Sequence, residues 1–196
     1  MKLFTLIVNF LFVYSYSTHA QINTADNKLR IVEEYYPGAI VKNDGVREEG
    51  FILLTFGATQ YSSVQFRKDI NDLDTQRSYR PKDLLGYEIK HLKYTSFKIE
   101  NDTMSIQNFA RVLSEGCVNL LKFSEINEDG KEVNKFVVET KDNIHCLNQS
   151  GPEDSEILTK CMPDNPEIKI RIENLKPHYS TADIEEIVSA YNETCK

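Results

Sequence analysis

The sequence predicts an α+β protein: an antiparallel β-rich body, barrel or sandwich-like, followed by a short C-terminal helical segment. Three observations predict it. Short apolar runs, alternating or continuous, recur between Tyr35 and Leu147. Two Asp-Gly pairs, Asp44-Gly45 and Asp129-Gly130, fall between such runs, where a glycine able to take positive φ suits a tight hairpin. Beyond a polar break at 148–152 the alternation stops and helix punctuation begins. The expected organisation is a leader over 1–20, a loose segment over 21–34, a β-rich body over 35–147 and a helical tail over 153–196 packed on that body.

In the leader, Lys2 precedes the apolar run from Leu3 to Tyr16, and Ser17, Thr18, His19 and Ala20 follow. A basic start, an apolar stretch and a small-residue site make up a secretory signal peptide. A membrane-crossing helix needs about twenty apolar residues, and this stretch is shorter, so cleavage after Ala20 is expected, with Gln21 left first. No cysteine follows the site to carry a lipid anchor. The mature protein is therefore expected to be exported, periplasmic or secreted, without a stable membrane span. Loss of Lys2 reduces 23 basic residues to 22 against 30 acidic ones, a net charge of −8. So acidic a chain, lacking a basic stripe, repels phosphate backbones and argues against nucleic acid as a partner.

Within the body, Ala39, Ile40 and Val41 lead into the first Asp-Gly turn. Phe51 to Phe56 is nearly continuous in apolar character and reads as a strand covered on both faces. Val64 and Phe66 alternate with polar neighbours, and 67–78 reads as a loop. Pro81 excludes a central strand just before Leu84. Alternation then returns, with Tyr87, Ile89 and His91 on one face, and with Phe97 and Ile99 sharing a side of the next strand. Residues 106–113 fit strand and helix spacing alike and are assigned to a strand. Val118 to Phe123 and Val133 to Thr140 should pair across the second Asp-Gly turn.

In the tail, Ser155, Ile157, Leu158 and Met162 suit a short helix, and Pro166 suits the first turn of a second. Ser180 with Asp183 three residues on resembles a capping box opening a third. There Ile184, Ile187, Val188 and Tyr191 recur at three and four, which gives one apolar face.

No catalytic, metal or cofactor constellation stands out, and no cofactor is expected. There is no Gly-x-Ser-x-Gly elbow. His145 and Cys146 are adjacent, but strand neighbours point to opposite faces and make poor dyad partners. His91, His145 and Cys161 lack metal-ligand spacing. The paired acids Glu48-Glu49 and Glu185-Glu186 do not face each other and read as solvated charge. Asn101, Asn148 and Asn192 head Asn-x-Ser/Thr triplets, glycan acceptors only in a eukaryotic secretory pathway, and Asn192 falls in the last helix.

The order of these residues resembles an uncharacterised family of exported Bacteroidota proteins. The resemblance rests on Gly50 to Leu54 followed by Gly57, on Val64-Gln65-Phe66, on Tyr79 through Tyr87, and on Phe109 to Gly116 leading into Leu120 to Phe123. It continues through Cys161 and the terminal pattern Tyr179, Asp183, Ile184, Ile187, Val188, Tyr191, Asn192 and Cys195. The family's usual acid after the first long strand is replaced here by Gly57-Ala58-Thr59-Gln60. The resemblance implies a fold and a compartment but no substrate. It also implies an O-glycan at Thr103, within Asp102-Thr103-Met104.

A foldable core without convergent reactive groups points to a non-enzymatic binding or scaffolding module, with an envelope or extracellular protein or a glycan as partner. The alternative is a hydrolase with a dispersed site, which a pocket gathering His91, Glu88 or Tyr94 would favour. All four cysteines lie in the mature chain, and an oxidising compartment permits disulfides. Cys161 closes the first tail helix and Cys195 the third, so a compact three-helix arrangement places both at one end. A Cys161–Cys195 bridge is expected, stabilising by roughly 4 kcal/mol at most. Cys146 with Cys161 is the rival, and Cys117 is either a buried thiol or a partner of Cys146.

Overall fold

Both Asp-Gly turns form. Tyr35–Lys42 (β1) and Arg47–Leu53 (β2) pair antiparallel from Tyr35 opposite Leu53 to Val41 opposite Arg47. Gly45 supplies the positive φ of +83° that closes the turn, and its N–H donates to the Lys42 carbonyl at 2.9 Å. Asn119–Ile126 (β8) and Glu132–Glu139 (β9) pair in the same way across Gly130, at φ +74°. The computed structural model describes residues 34–100, 105–149 and 152–195, which lie within the compact unit Glu33–Lys196. The leader and Thr103 lie outside the described residues, as does Asn101.

Six further strands complete one sheet: Val64–Arg67 (β3), Arg77–Tyr79 (β4), Leu84–Ile89 (β5), Leu92–Glu100 (β6), Ser105–Ser114 (β7) and Ile144–Leu147 (β10). The order is β10-β9-β8-β7-β6-β5-β1-β2-β3-β4, with antiparallel neighbours. The strands from β5 to β10 form a simple meander, and β1 enters between β5 and β2. The result is an open half-barrel with a few short helices, the last near the C-terminus.

Alternation along β6 and β7 feeds two different cores. Tyr94 and Phe109 join Ile40, Phe66 and Tyr87 in one cluster, while Phe97, Ile99 and Ala110 join Phe123 and Val137 in another. In that second cluster β10 returns to meet β6. A third core lies under the tail, where Leu120, Phe136 and Val138 point away from Leu121 and Val137.

The helices are Thr59–Ser62 (α1), Pro152–Cys161 (α2), Pro166–Glu173 (α3) and Thr181–Thr194 (α4). Asn165 caps α3 by accepting from the Glu167 and Ile168 N–H groups, both at 3.1 Å. The expected box opens α4: the Asp183 N–H donates to Ser180 Oγ, and Asp183 Oδ2 accepts from the Ser180 N–H at 2.8 Å. Ile184, Ile187, Val188 and Tyr191 are all buried in the third core.

Besides 67–78, read as a loop but contributing Arg67 to β3 and Arg77 and Ser78 to β4, three expectations need correction. The disulfide joins Cys117 to Cys195, while Cys161 and Cys146 are unbridged. The reason is where α4 ends. Its last turn packs on the β7–β8 turn, where Asn192 contacts Gly116 and Val118, so Cys195 arrives at Cys117, while Cys161 stays buried in the tail core. The second correction is Phe56. Strand β2 ends at Leu53, and Phe56 is 79% exposed on the following loop. The third is His91, which sits in the β5–β6 turn beside Lys90 at φ +57°, outside the strand that carries Tyr87 and Ile89.

Candidate functional site

A hollow of about 450 Å³ opens where the sheet ends at β4. Its floor is Phe66, whose approach depends on Gly50: a Cβ there would fall 2.5 Å from the Phe66 ring and 2.4 Å from the Arg67 carbonyl oxygen. Tyr79 meets Phe66 edge-on, with centroids 6.5 Å apart, and forms one wall.

The rim carries charge of both signs. Glu48 on β2 receives Lys42 Nζ at 2.8 Å and Lys68 Nζ at 4.0 Å, one cation on each carboxylate oxygen. The hydrogen bond to Glu48 holds the Lys42 ammonium above its ordinary pKa. Opposite lies the loop that carries Asp72, Asp74 and Thr75. That loop is internally bonded: Asp72 Oδ1 accepts the Asp74 N–H at 3.0 Å, and the Thr75 hydroxyl donates to the Asp72 carbonyl at 2.7 Å. Arg77 is tied back, donating through Nη1 to the Asp74 and Gln76 carbonyls, both at 2.8 Å. Such a rim suits polar recognition of a partner through ion pairs and hydrogen bonds, with Tyr79 for apolar contact.

A second, shallow hollow of about 180 Å³ lies over β1, β5 and β6 and includes both Glu88 and Tyr94 among its walls. Their functional groups do not converge. Glu88 pairs with Lys93 across the ladder and accepts Arg47 Nη1 at 2.6 Å. Tyr94 belongs to the adjacent register pair, so its ring lies on the opposite face, stacked on Tyr87 at 4.4 Å. Its hydroxyl accepts from Gln60 Nε2 at 2.6 Å, and the Tyr87 hydroxyl donates to the Gln60 carbonyl at 2.9 Å. Burial pushes the Tyr94 phenol up to about 12, and Tyr87 is raised further by the same cause. These phenols dock α1 on the sheet. His91 is not among the residues lining this hollow.

The remaining candidates stay apart. His145 is opposite Val138 and Cys146 opposite Val137, so the two side chains point to opposite faces of β10. Burial pushes the Cys146 thiol up to about 11, the wrong direction for a nucleophile. Asp154, at 1% exposure, accepts the Asn148 N–H at 3.0 Å and the Tyr179 hydroxyl at 3.1 Å, which ties the exit of β10 to the tail. Among the described residues, no group of three or more His, Cys, Asp or Glu side chains is placed to hold a metal ion. Among them, too, no helix is long and apolar enough to cross a membrane.

Sequence reasoning missed the charged hollow because its members come from three separated stretches, with the stretch 67–78 read only as a loop. The signal present was Asp69 to Thr75, where acids, Asn71 and Thr75 alternate as turn-forming residues do. Compared with known proteins, the chain matches no family model, no curated protein and no solved structure.

Proposed function

We propose that the chain is an exported, non-enzymatic binding module that takes an extended segment of an envelope or extracellular protein at the β4 edge. One observation carries this reading. The sheet ends, among the described residues, at a strand that has a neighbour on one side only, and the charged hollow lies against it. An unpaired strand edge offers backbone donors and acceptors to an added strand, and side chains of that strand would reach alternate pockets. The mixed rim of Lys42, Glu48, Lys68 and Asp74 would select among such segments by charge. Export rests on the first twenty residues, and the Cys117–Cys195 bridge fits an oxidising compartment. Membership of the exported Bacteroidota group rests on the sequence pattern alone.

The test is a photo-crosslinking residue placed at Ser78 on β4 in the exported protein, with Glu156 on α2 as comparison. A defined adduct at position 78, absent at 156 and weakened by E48K, supports the reading. Equal labelling at both positions, or an adduct at 78 indifferent to E48K, rejects it. Binding to polysaccharide with no protein adduct would transfer the site to a glycan.

A further inference from the structure

The end of α4 is held to the β7–β8 turn by two fastenings of different kinds. One is the Cys117–Cys195 bond, which spans 78 residues of sequence. The other is Asn192. Its Nδ2 donates to the Val118 carbonyl at 2.8 Å and to Ser114 Oγ at 3.1 Å, and its Oδ1 accepts the Val118 N–H at 3.0 Å. A Cβ on Gly116 would lie 2.4 Å from Asn192 Cγ, so the turn is shaped to receive this side chain. Ser189 Oγ adds a 3.4 Å contact to Ser114 one helical turn earlier. Beneath them, Val188 and Tyr191 are buried against the same core as Val118. None of these contacts needs the disulfide.

We infer that α4 docks before the disulfide closes, and that Cys117–Cys195 is a reversible latch set by the thiol poise of the compartment. Cys117 is exposed on its turn, so a small thiol has access to it. In reduction by a glutathione-type thiol, one thiolate attacks Cys117 Sγ, the S–S bond breaks, and Cys195 leaves as a thiolate that takes a proton from water. A second glutathione thiolate resolves the mixed disulfide, giving glutathione disulfide and the Cys117 thiol. Two electrons pass from two glutathiones to the pair. Because Asn192 still holds the helix, the two thiols stay within reach and the reverse reaction is intramolecular.

The test is equilibration of the full mature chain in glutathione buffers, with the 117–195 linkage quantified by peptide mapping, in the folded state and in concentrated urea. The equilibrium constant for closure should be about 100-fold higher when folded, and N192A should lower it about tenfold, the scale of one to two net hydrogen bonds. E193Q, next to the clamp but outside it, should leave it unchanged. The reduced chain should keep its far-ultraviolet circular dichroism. If N192A does not fold, S114A decides, because it removes one Asn192 partner and should give a smaller drop. Constants equal in folded and unfolded states, a clamp variant without effect, or loss of the dichroism on reduction would each overturn the latch.

Discussion

Asn192 treats Val118 as a strand neighbour would: one side-chain amide donates to its carbonyl and accepts from its N–H, at 2.8 Å and 3.0 Å. A helix residue thereby completes the backbone pairing of a turn that has no strand partner there. The same engagement decides the fate of the sequon that begins at this residue. Passed through a eukaryotic secretory pathway, the protein should remain unmodified at Asn192, whose Nδ2 is already committed. Asn148 is exposed on the turn after β10 and should accept a glycan. Glycopeptide mass mapping checks this, and occupancy at Asn192 would contradict the clamp.

The disulfide prediction is direct. Non-reducing peptide mapping of the oxidised native protein should link Cys117 to Cys195, with Cys146 and Cys161 as thiols. Replacing both bridged cysteines by serine should cost at most about 4.5 kcal/mol on the chain-entropy model for a loop of this length. Urea midpoints of the variant and parent measure it.

Cys146 should be slow toward alkylating reagents. Its folded pKa of about 11 lies two units above the ordinary thiol value of 9.0, so at pH 8 its thiolate fraction is about 100-fold smaller. Iodoacetamide labelling of native and urea-unfolded protein should show that ratio. The sign for stability follows. The fold favours the neutral thiol, so its contribution is complete below pH 9 and is lost as pH rises toward 11. A C146A variant should show less destabilisation over that range.

The cap of α4 should respond at the other end of the scale. The Ser180 N–H and hydroxyl, each 2.8 Å from Asp183 Oδ2, hold that carboxyl below its ordinary range. The fold therefore favours the ionised form. Its contribution is present above the ordinary carboxylate pKa and is lost as pH falls through the lower folded value. S180A should cost about 1 kcal/mol at neutral pH, and D183N should flatten the acid limb. Denaturant titrations at pH 6 and pH 3 read both effects.

Most of the fold was legible where local chemistry decides it. The two Asp-Gly turns, the alternation of Val64 with Phe66, the strand over 106–113 and the Ser180–Asp183 box each depend on residues within one element or one hairpin. What depends on distant contact was not. The bridge follows from the side of the sheet on which α4 ends, which depends on how Val118 and Leu120 pack under the helix. Phe56 looked like a strand residue because apolar runs do not say where a ladder stops, and the β2–β3 ladder stops at Phe51 and Ile52. The charged hollow exists only because β4 brings Arg77 and Tyr79 alongside Phe66.

The position of β1 bears on the order in which the molecule assembles. Tyr87 pairs with Ile40 from 47 positions further along the chain, whereas β5 through β10 each find a partner in the next segment. Two meanders, β1 to β4 and β5 to β10, can therefore form by successive local closures, while joining them along β1 and β5 must bear the entropy of a long loop. Until β5 is in place, β1 is the open edge of a four-stranded sheet whose β2–β3 and β3–β4 ladders are short. The late step in folding is thus the capture of the N-terminal meander along β5, and slowing mutations should concentrate at Gly38, Ile40 and Tyr87, where that seam closes.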